Sequence, residues 1–255
     1  MIYYFSGTGN SLYVARHLAD ALGEKLCPMA LSRPLGTDLE GPVGLVFPVY
    51  GWGIPNVVEK FVSKQLVPLL DGKQEELPFL YAVMTCGDDM GYTDRVLEKA
   101  LGRQVDAAFS VLMPDVYVCL PGFDVDSKEE CREKFEKEKV AVPEIAACVK
   151  EQRRVRLLKR GPFPWTKTYI LRPLFNRFLV TDKYFKVDAS KCISCGRCSK
   201  MCPVGNILIE NDVPRWQSHC AGCLACYHAC PYHAINFGKM TQTKGQYNIM
   251  EQIYE

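Results

Sequence analysis

Apolar positions in the first part of the chain form short blocks, separated by glycine-rich turns and by stretches of helical spacing. "MIYYF" leads through "SGTGNS" into "LYVARHLADALG", which reads as a strand, a turn and a helix. "GPVGLVFPVY" is an apolar run of the kind buried in a parallel sheet. It precedes "GWGIPNVVEKFVSKQL", where Pro55 suits the first turn of a helix. "LPFLYAVMTCG" is a second such run, and in "DDMGYTDRVLEKALG" Val96, Leu97, Ala100 and Leu101 recur at helical spacing. "DAAFSVLMP" reads as the last strand and "DSKEECREKFEKEKVAVPEIAACVKEQRR" as the last helix, bent at Pro143. Strand–helix alternation over about 150 residues predicts an α/β fold with a doubly wound parallel sheet. Ligands bind such sheets at the carboxyl ends of the strands, here loops 6–11, 48–55 and 85–92.

With 255 residues and 48% hydrophobic composition, the chain can bury one good core and a second small unit. The net charge of +2 hides an uneven spread: residues 150–186 carry 11 Lys/Arg against 2 Asp/Glu. "MIYYF" runs into structure without a charged leader, and no window has the 18 or so apolar residues of a membrane span, so a cytoplasmic protein is expected.

Eight of the 13 cysteines fall between Cys192 and Cys230. "CISCGRCSKMCP" and "CAGCLACYHACP" are both C-x2-C-x2-C-x3-C-P, with the second copy 28 residues after the first. In a reducing compartment this pattern means metal. Three cysteines at this spacing wrap one face of an iron–sulfur cube, and the fourth reaches the neighbouring one. Cys192, Cys195, Cys198 and Cys230 are therefore expected to hold one [4Fe–4S] cluster, and Cys220, Cys223, Cys226 and Cys202 the other. Gly196 and Gly222 fit where a side chain would collide with inorganic sulfide. Zinc sites use separated C-x2-C pairs instead. His219, His228 and His233 read as surface or cluster-flanking residues. Residues 185–239 resemble a two-cluster bacterial ferredoxin, which implies one-electron transfer at low potential.

For "SGTGNS" three phosphate-binding readings compete. A P-loop needs a lysine that is absent, and a dinucleotide fingerprint needs a third glycine where Leu12 stands. The terminal phosphate of FMN needs only backbone N–H groups, a helix start and hydroxyls. Ser6, Thr8 and Ser11 supply hydroxyls, Asn10 an amide, and Gly7 and Gly9 let the backbone curl. An empty strand–helix turn is the bland alternative.

"SGTGNS", "PVYGWGIP" and "TCGDDMGY" together resemble the three FMN loops of flavodoxins, and the whole chain resembles the flavodoxin–ferredoxin fusion proteins of anaerobic bacteria. The resemblance implies a flavodoxin-like domain and a small α+β ferredoxin-like domain. It implies phosphate binding by Ser6, Gly7, Thr8, Gly9, Asn10 and Ser11. It also puts Tyr50, Gly51 and Trp52 on one side of the flavin ring, with Thr85, Cys86, Gly87 and Tyr92 on the other. The bland alternative for Trp52 and Tyr92 is that they simply cover the end of the sheet. Asp88 and Asp89 depart from the pattern; they would repel a reduced flavin and are expected to point to solvent.

The resulting division is a flavodoxin-like FMN domain (1–155), a basic aromatic connector (156–184), a two-cluster ferredoxin domain (185–240) and a tail (241–255). The aromatics of the connector are expected to pack between the domains. Its basic face could also dock an acidic redox partner, or lie on a membrane, although Pro173 interrupts an amphipathic helix there. No nucleic-acid-binding module is recognisable. Cys27 to Arg33 matches C-x5-R without the glycine-rich cradle of phosphatases, and the four histidines suggest no catalytic triad. The expected function is electron transfer between two [4Fe–4S] clusters and FMN. The alternatives are an FMN-dependent reductase fed by the clusters, and a ferredoxin with a flavin-free scaffold.

Overall fold

The computed structural model describes residues 1–30, 41–71 and 77–254. Arg33 of the C-x5-R match lies outside them. The apolar blocks become β1 (Ile2–Tyr4), β3 (Val43–Pro48), β4 (Leu80–Cys86) and β5 (Ala107–Leu112). Two short strands join them: β2 (Leu26–Pro28) and β6 (Arg156–Leu157). All six run parallel in the order β2-β1-β3-β4-β5-β6. The first five follow the flavodoxin-like order, which reverses between β1 and β3. β5 is thus not the last strand. β6 begins what the sequence reading assigns to the connector.

Successive strand residues face opposite sides, so each strand feeds two cores. Ile2, Val46 and Val83 pack against α1 (Asn10–Leu22) and α5 (Lys128–Lys150). Tyr3, Leu45 and Phe47 pack against α2 (Asn56–Phe61), α3 (Val67–Asp71) and α4 (Thr93–Leu101). α5 starts on a capping box made by Ser127 and Glu130 and continues past Pro143.

A π-helical turn (Val62–Leu66) joins α2 to α3. A second (Lys167–Leu171) joins α6 (Pro164–Thr166) to α7 (Arg172–Phe178). The connector is therefore helical from 164 to 178, straight through Pro173. The N–H of Arg172 reaches back to the carbonyl of Lys167, five residues away. That wider turn relieves the clash a proline ring makes with the carbonyl four residues earlier.

In the C-terminal region the sequence repeat becomes a structural one. β7 (Phe185–Val187), α8 (Arg197–Lys200) and β8 (Ile207–Glu210) are matched by β9 (Val213–Trp216), α9 (Ala225–His228) and β10 (Ile235–Phe237). β10 pairs antiparallel with β7, and β8 with β9, around Phe185, Ile207, Tyr227 and Phe237. The tail ends in α10 (Ile249–Tyr254) and returns to the sheet, with Tyr247 buried in the core beside α1 and α5.

Candidate functional site

A cavity of about 370 Å³ opens at the carboxyl ends of the strands, where the order reverses. This is the size of a small-molecule site. Ser6, Gly7, Thr8, Asn10 and Ser11 line it from the first loop, and Tyr50, Gly51 and Trp52 from the second. Thr85, Cys86 and Gly87 line it from the third.

Two predicted residues lie elsewhere. Gly9, the N-cap of α1, packs towards Ile249. Tyr92 stands at the start of α4 with its ring against the guanidinium groups of Arg95 and Arg160, at 4.0 and 4.8 Å.

The side chains of the first loop mostly hold the loop itself. Ser6 Oγ accepts from Gly9 N–H (3.2 Å), and the hydroxyls of Ser11 and Thr85 are bonded at 2.8 Å. Asn10 donates to the Pro114 carbonyl (2.9 Å) and accepts from the Tyr247 hydroxyl (2.6 Å). Its amide is therefore a brace, not a free ligand. The first-turn N–H groups of α1 lack intrahelical partners by geometry, and no acid stands in that turn. The loop thus offers backbone donors and positive helix dipole to an anion.

The sequence reading missed a fourth loop. Because β5 is parallel to its neighbours, Met113, Pro114, Asp115, Val116 and Tyr117 reach the same end of the sheet and line the cavity. Burial raises the Asp115 carboxyl, while the N–H of Tyr117 donated to it works the other way. The Tyr117 hydroxyl is buried without a partner. Such an orphan fits a bound polar ligand with acceptor atoms. Burial also pushes the Cys86 thiol up to about 12.

The connector closes one side with Lys167 and Phe175. Thr168 donates to the Trp52 carbonyl (3.1 Å) and accepts from Tyr92 N–H (2.9 Å). Arg172 donates to the Ile54 carbonyl (3.2 Å). Gly53 leaves it room: a Cβ there would lie 1.9 Å from Arg172 Nε. Asp88 is exposed, yet it borders the cavity and is not turned wholly away from it. Asp89 is not exposed, because Lys167 Nζ holds it at 2.6 Å and the pair faces the cavity.

The last wall is Gly222, Cys223 and Leu224, from the second cysteine repeat. A Cβ on Gly7 would stand 2.6 Å from Cys223 Cβ and 2.9 Å from the Tyr50 hydroxyl, so only glycine allows this approach. Burial pushes the Tyr50 phenol well up, and Cys223 and Cys220 add to it.

Cys192, Cys195, Cys198 and Cys230 line one pocket with Ile193, Pro231 and Ile235. The other four share surroundings of their own. Burial raises Cys220 to about 11, Cys223 to about 12 and Cys226 further, with Cys202 a neighbour to all three. Backbone N–H groups reach equivalent sulfurs in both copies: Asn206 to Cys202 Sγ (3.2 Å) and Ala234 to Cys230 Sγ (3.3 Å). The buried indole N–H of Trp216 has no hydrogen-bond partner, yet its nearness to Cys226 offsets part of that thiol's burial shift. An N–H so placed suits a cluster sulfur. Among the described residues, no three His, Cys, Asp or Glu converge as on a single ion. The sets are therefore defined by spacing and shared surroundings.

Backbone handedness, not only space, explains the glycines. Both positions flanking the middle cysteine have positive φ in each copy: Ser194 and Gly196 in the first, Gly222 and Leu224 in the second. His228 is no surface residue. Its Nε2–H donates to the Val116 carbonyl (2.9 Å), and its Nδ1 accepts from Tyr247 N–H (3.1 Å). Burial lowers its pKa to about 4, so it stays neutral and ties the repeat to the fourth loop and the tail.

The family described as "4Fe-4S binding domain" matches residues 185–208 and 213–236. An uncharacterized ferredoxin of Methanocaldococcus jannaschii is 37% identical over 54 residues, which cover 70% of that protein and 19% of this chain. The chain belongs to the 4Fe-4S ferredoxins. A ferredoxin-like protein in the nif region of Trichormus variabilis is 41% identical over 44 residues. That match covers 16% of this ferredoxin and 38% of the relative's length; the same figures hold for a Trichormus azollae protein. Among solved structures, the rubredoxin oxygen:oxidoreductase of Desulfovibrio gigas aligns with a TM-score of 0.34 and 17% identity, over 59% of this chain and 36% of that one.

Proposed function

We propose that this ferredoxin relays electrons between two [4Fe–4S] clusters and an FMN held in the cavity. The observation that carries the reading is the shared wall: Gly7 of the first loop rests directly on Cys223 of the second repeat. A flavin there adjoins a cluster ligand loop, and electron exchange falls steeply with distance. Cys192, Cys195, Cys198 and Cys230 hold the first cluster, and Cys202, Cys220, Cys223 and Cys226 the second. The phosphate is held by the backbone of the first loop with Ser6 and Thr8. Tyr50, Trp52 and Tyr117 flank the ring. The flavin supplies a group that takes up electrons singly or in pairs.

Carrier chemistry is favoured over substrate reduction by the walls of the cavity. Phe175 of the connector and Leu224 of the ferredoxin region both stand in them, so a flavin would lie against protein side chains from both regions. A soluble redox partner meets the first set, where Cys195 is exposed.

Flavin and iron analysis of the anaerobically purified protein tests the reading. About eight irons with one FMN are expected; eight irons without flavin would eliminate it. Thr8→Glu puts a carboxylate at the phosphate position, so it should abolish flavin retention and leave cluster absorbance intact. Undiminished FMN in that variant refutes the site.

A further inference from the structure

A helix on a protein surface normally turns its apolar stripe inward and its polar face outward. The connector helix departs from this: Phe175 is turned to the cavity, but most of its large apolar side chains are not. Lys167, Thr168 and Arg172 point in, each with a partner: the Asp89 carboxylate and the carbonyls of Trp52 and Ile54. Three polar anchors, and a Gly53 with no space beside Arg172, fix this orientation. Outward stand Phe163, Trp165, Ile170, Leu171, Leu174 and Phe178, each between 41% and 78% exposed. Six large apolar side chains this exposed within one short segment mark an interaction site.

Its charge is one-sided. No Asp or Glu occurs between Gly161 and Thr181, while Arg177, Lys159, Lys183 and Lys186 are exposed on or beside the helix. The geometry points to an anionic membrane surface as the occupant of this face, with the helix lying in the headgroup layer. A protein interface needs about one hydrogen bond per 100–200 Å². Besides the Tyr169 hydroxyl and the Trp165 indole, the outward face offers Thr166, Asn176 and Arg177 as polar side chains, few for its apolar area. A bilayer surface asks for apolar area and diffuse positive charge, and both are present. Trp165, Tyr169 and Tyr184, all exposed, are residue types that settle at the headgroup level. No helix among the described residues is long and apolar enough to cross a membrane, so the contact is peripheral.

Sedimentation of the full-length, cluster-loaded protein with lipid vesicles tests this. Phosphatidylcholine vesicles containing phosphatidylglycerol should carry the protein down at low salt, less at high salt, and pure phosphatidylcholine vesicles only weakly. L174E/F178E should reduce partitioning by at least about tenfold with visible absorbance unchanged, since both side chains point away from the cavity. If that variant loses its absorbance, Leu174→Gln alone serves as the second variant. Wild-type protein that stays in the supernatant with anionic vesicles at low salt overturns the proposal, as does a folded variant that binds undiminished. If vesicles fail but self-association rises with concentration and L174E/F178E abolishes it, the face belongs to a second copy of the chain, and the membrane assignment is equally overturned.

Discussion

Cys195 and Cys223 occupy the same place in C-x2-C-x2-C-x3-C-P, 28 residues apart. Cys195 is exposed, in a pocket with no contribution from the sheet domain. Cys223 lines the cavity between Gly7 and Tyr50. Backbone handedness around the two is alike. The repeat therefore sets the ligand spacing twice, while the neighbours of each copy set its surroundings. One set faces outward, and the other faces inward towards the cavity.

The largest expected effect separates the two copies. Cys223→Ser should lose iron and also flavin, because its loop is part of the cavity wall; Cys195→Ser should lose iron and keep flavin. Iron and flavin content of the two variants, measured side by side, checks this, and equal flavin loss in both would erase the distinction. A smaller effect is expected of Gly7→Ala. The added Cβ meets Cys223 Cβ at 2.6 Å and its carbonyl at 3.0 Å, and overpacking of this kind costs about 1–3 kcal/mol. Thermal unfolding should shift down and FMN affinity should fall, with the iron at the first set retained. Smallest is the charge pair on the connector side. Lys167→Met leaves Asp89 unpaired beside the cavity and should lower the flavin midpoint potential; Asp89→Asn frees the lysine and should raise it. Each change is on the order of 1 kcal/mol. Potentiometry that finds both shifts in one direction would remove Lys167 from the site.

Much of this was legible in the sequence, for identifiable reasons. Cys192 to Cys230 announce themselves because cluster ligation dictates spacing, and the runs of β3 and β4 because parallel strands are apolar on both faces. β2 and β6 were not, since two or three residues carry no periodicity. Pro173 hid the connector helix, because the π-helical turn that admits it leaves no compositional mark. The fourth loop could have been found: Pro114 and Asp115 follow a strand that the apolar run had already located. Asn10 and Asp89 could not have been. Their partners Tyr247 and Lys167 lie 237 and 78 positions away in the chain, and only the fold brings them together.

The Tyr247–Asn10 bond bears on biogenesis. A ribosome adds about 5–20 residues per second, so the brace on Asn10 emerges roughly 10–50 s after the turn it steadies. The nascent sheet can assemble early, but the first loop stays unbraced until Tyr247 has been made. Closure of the cavity is thereby deferred to a point at which the cysteine loops that complete its wall have also been synthesised.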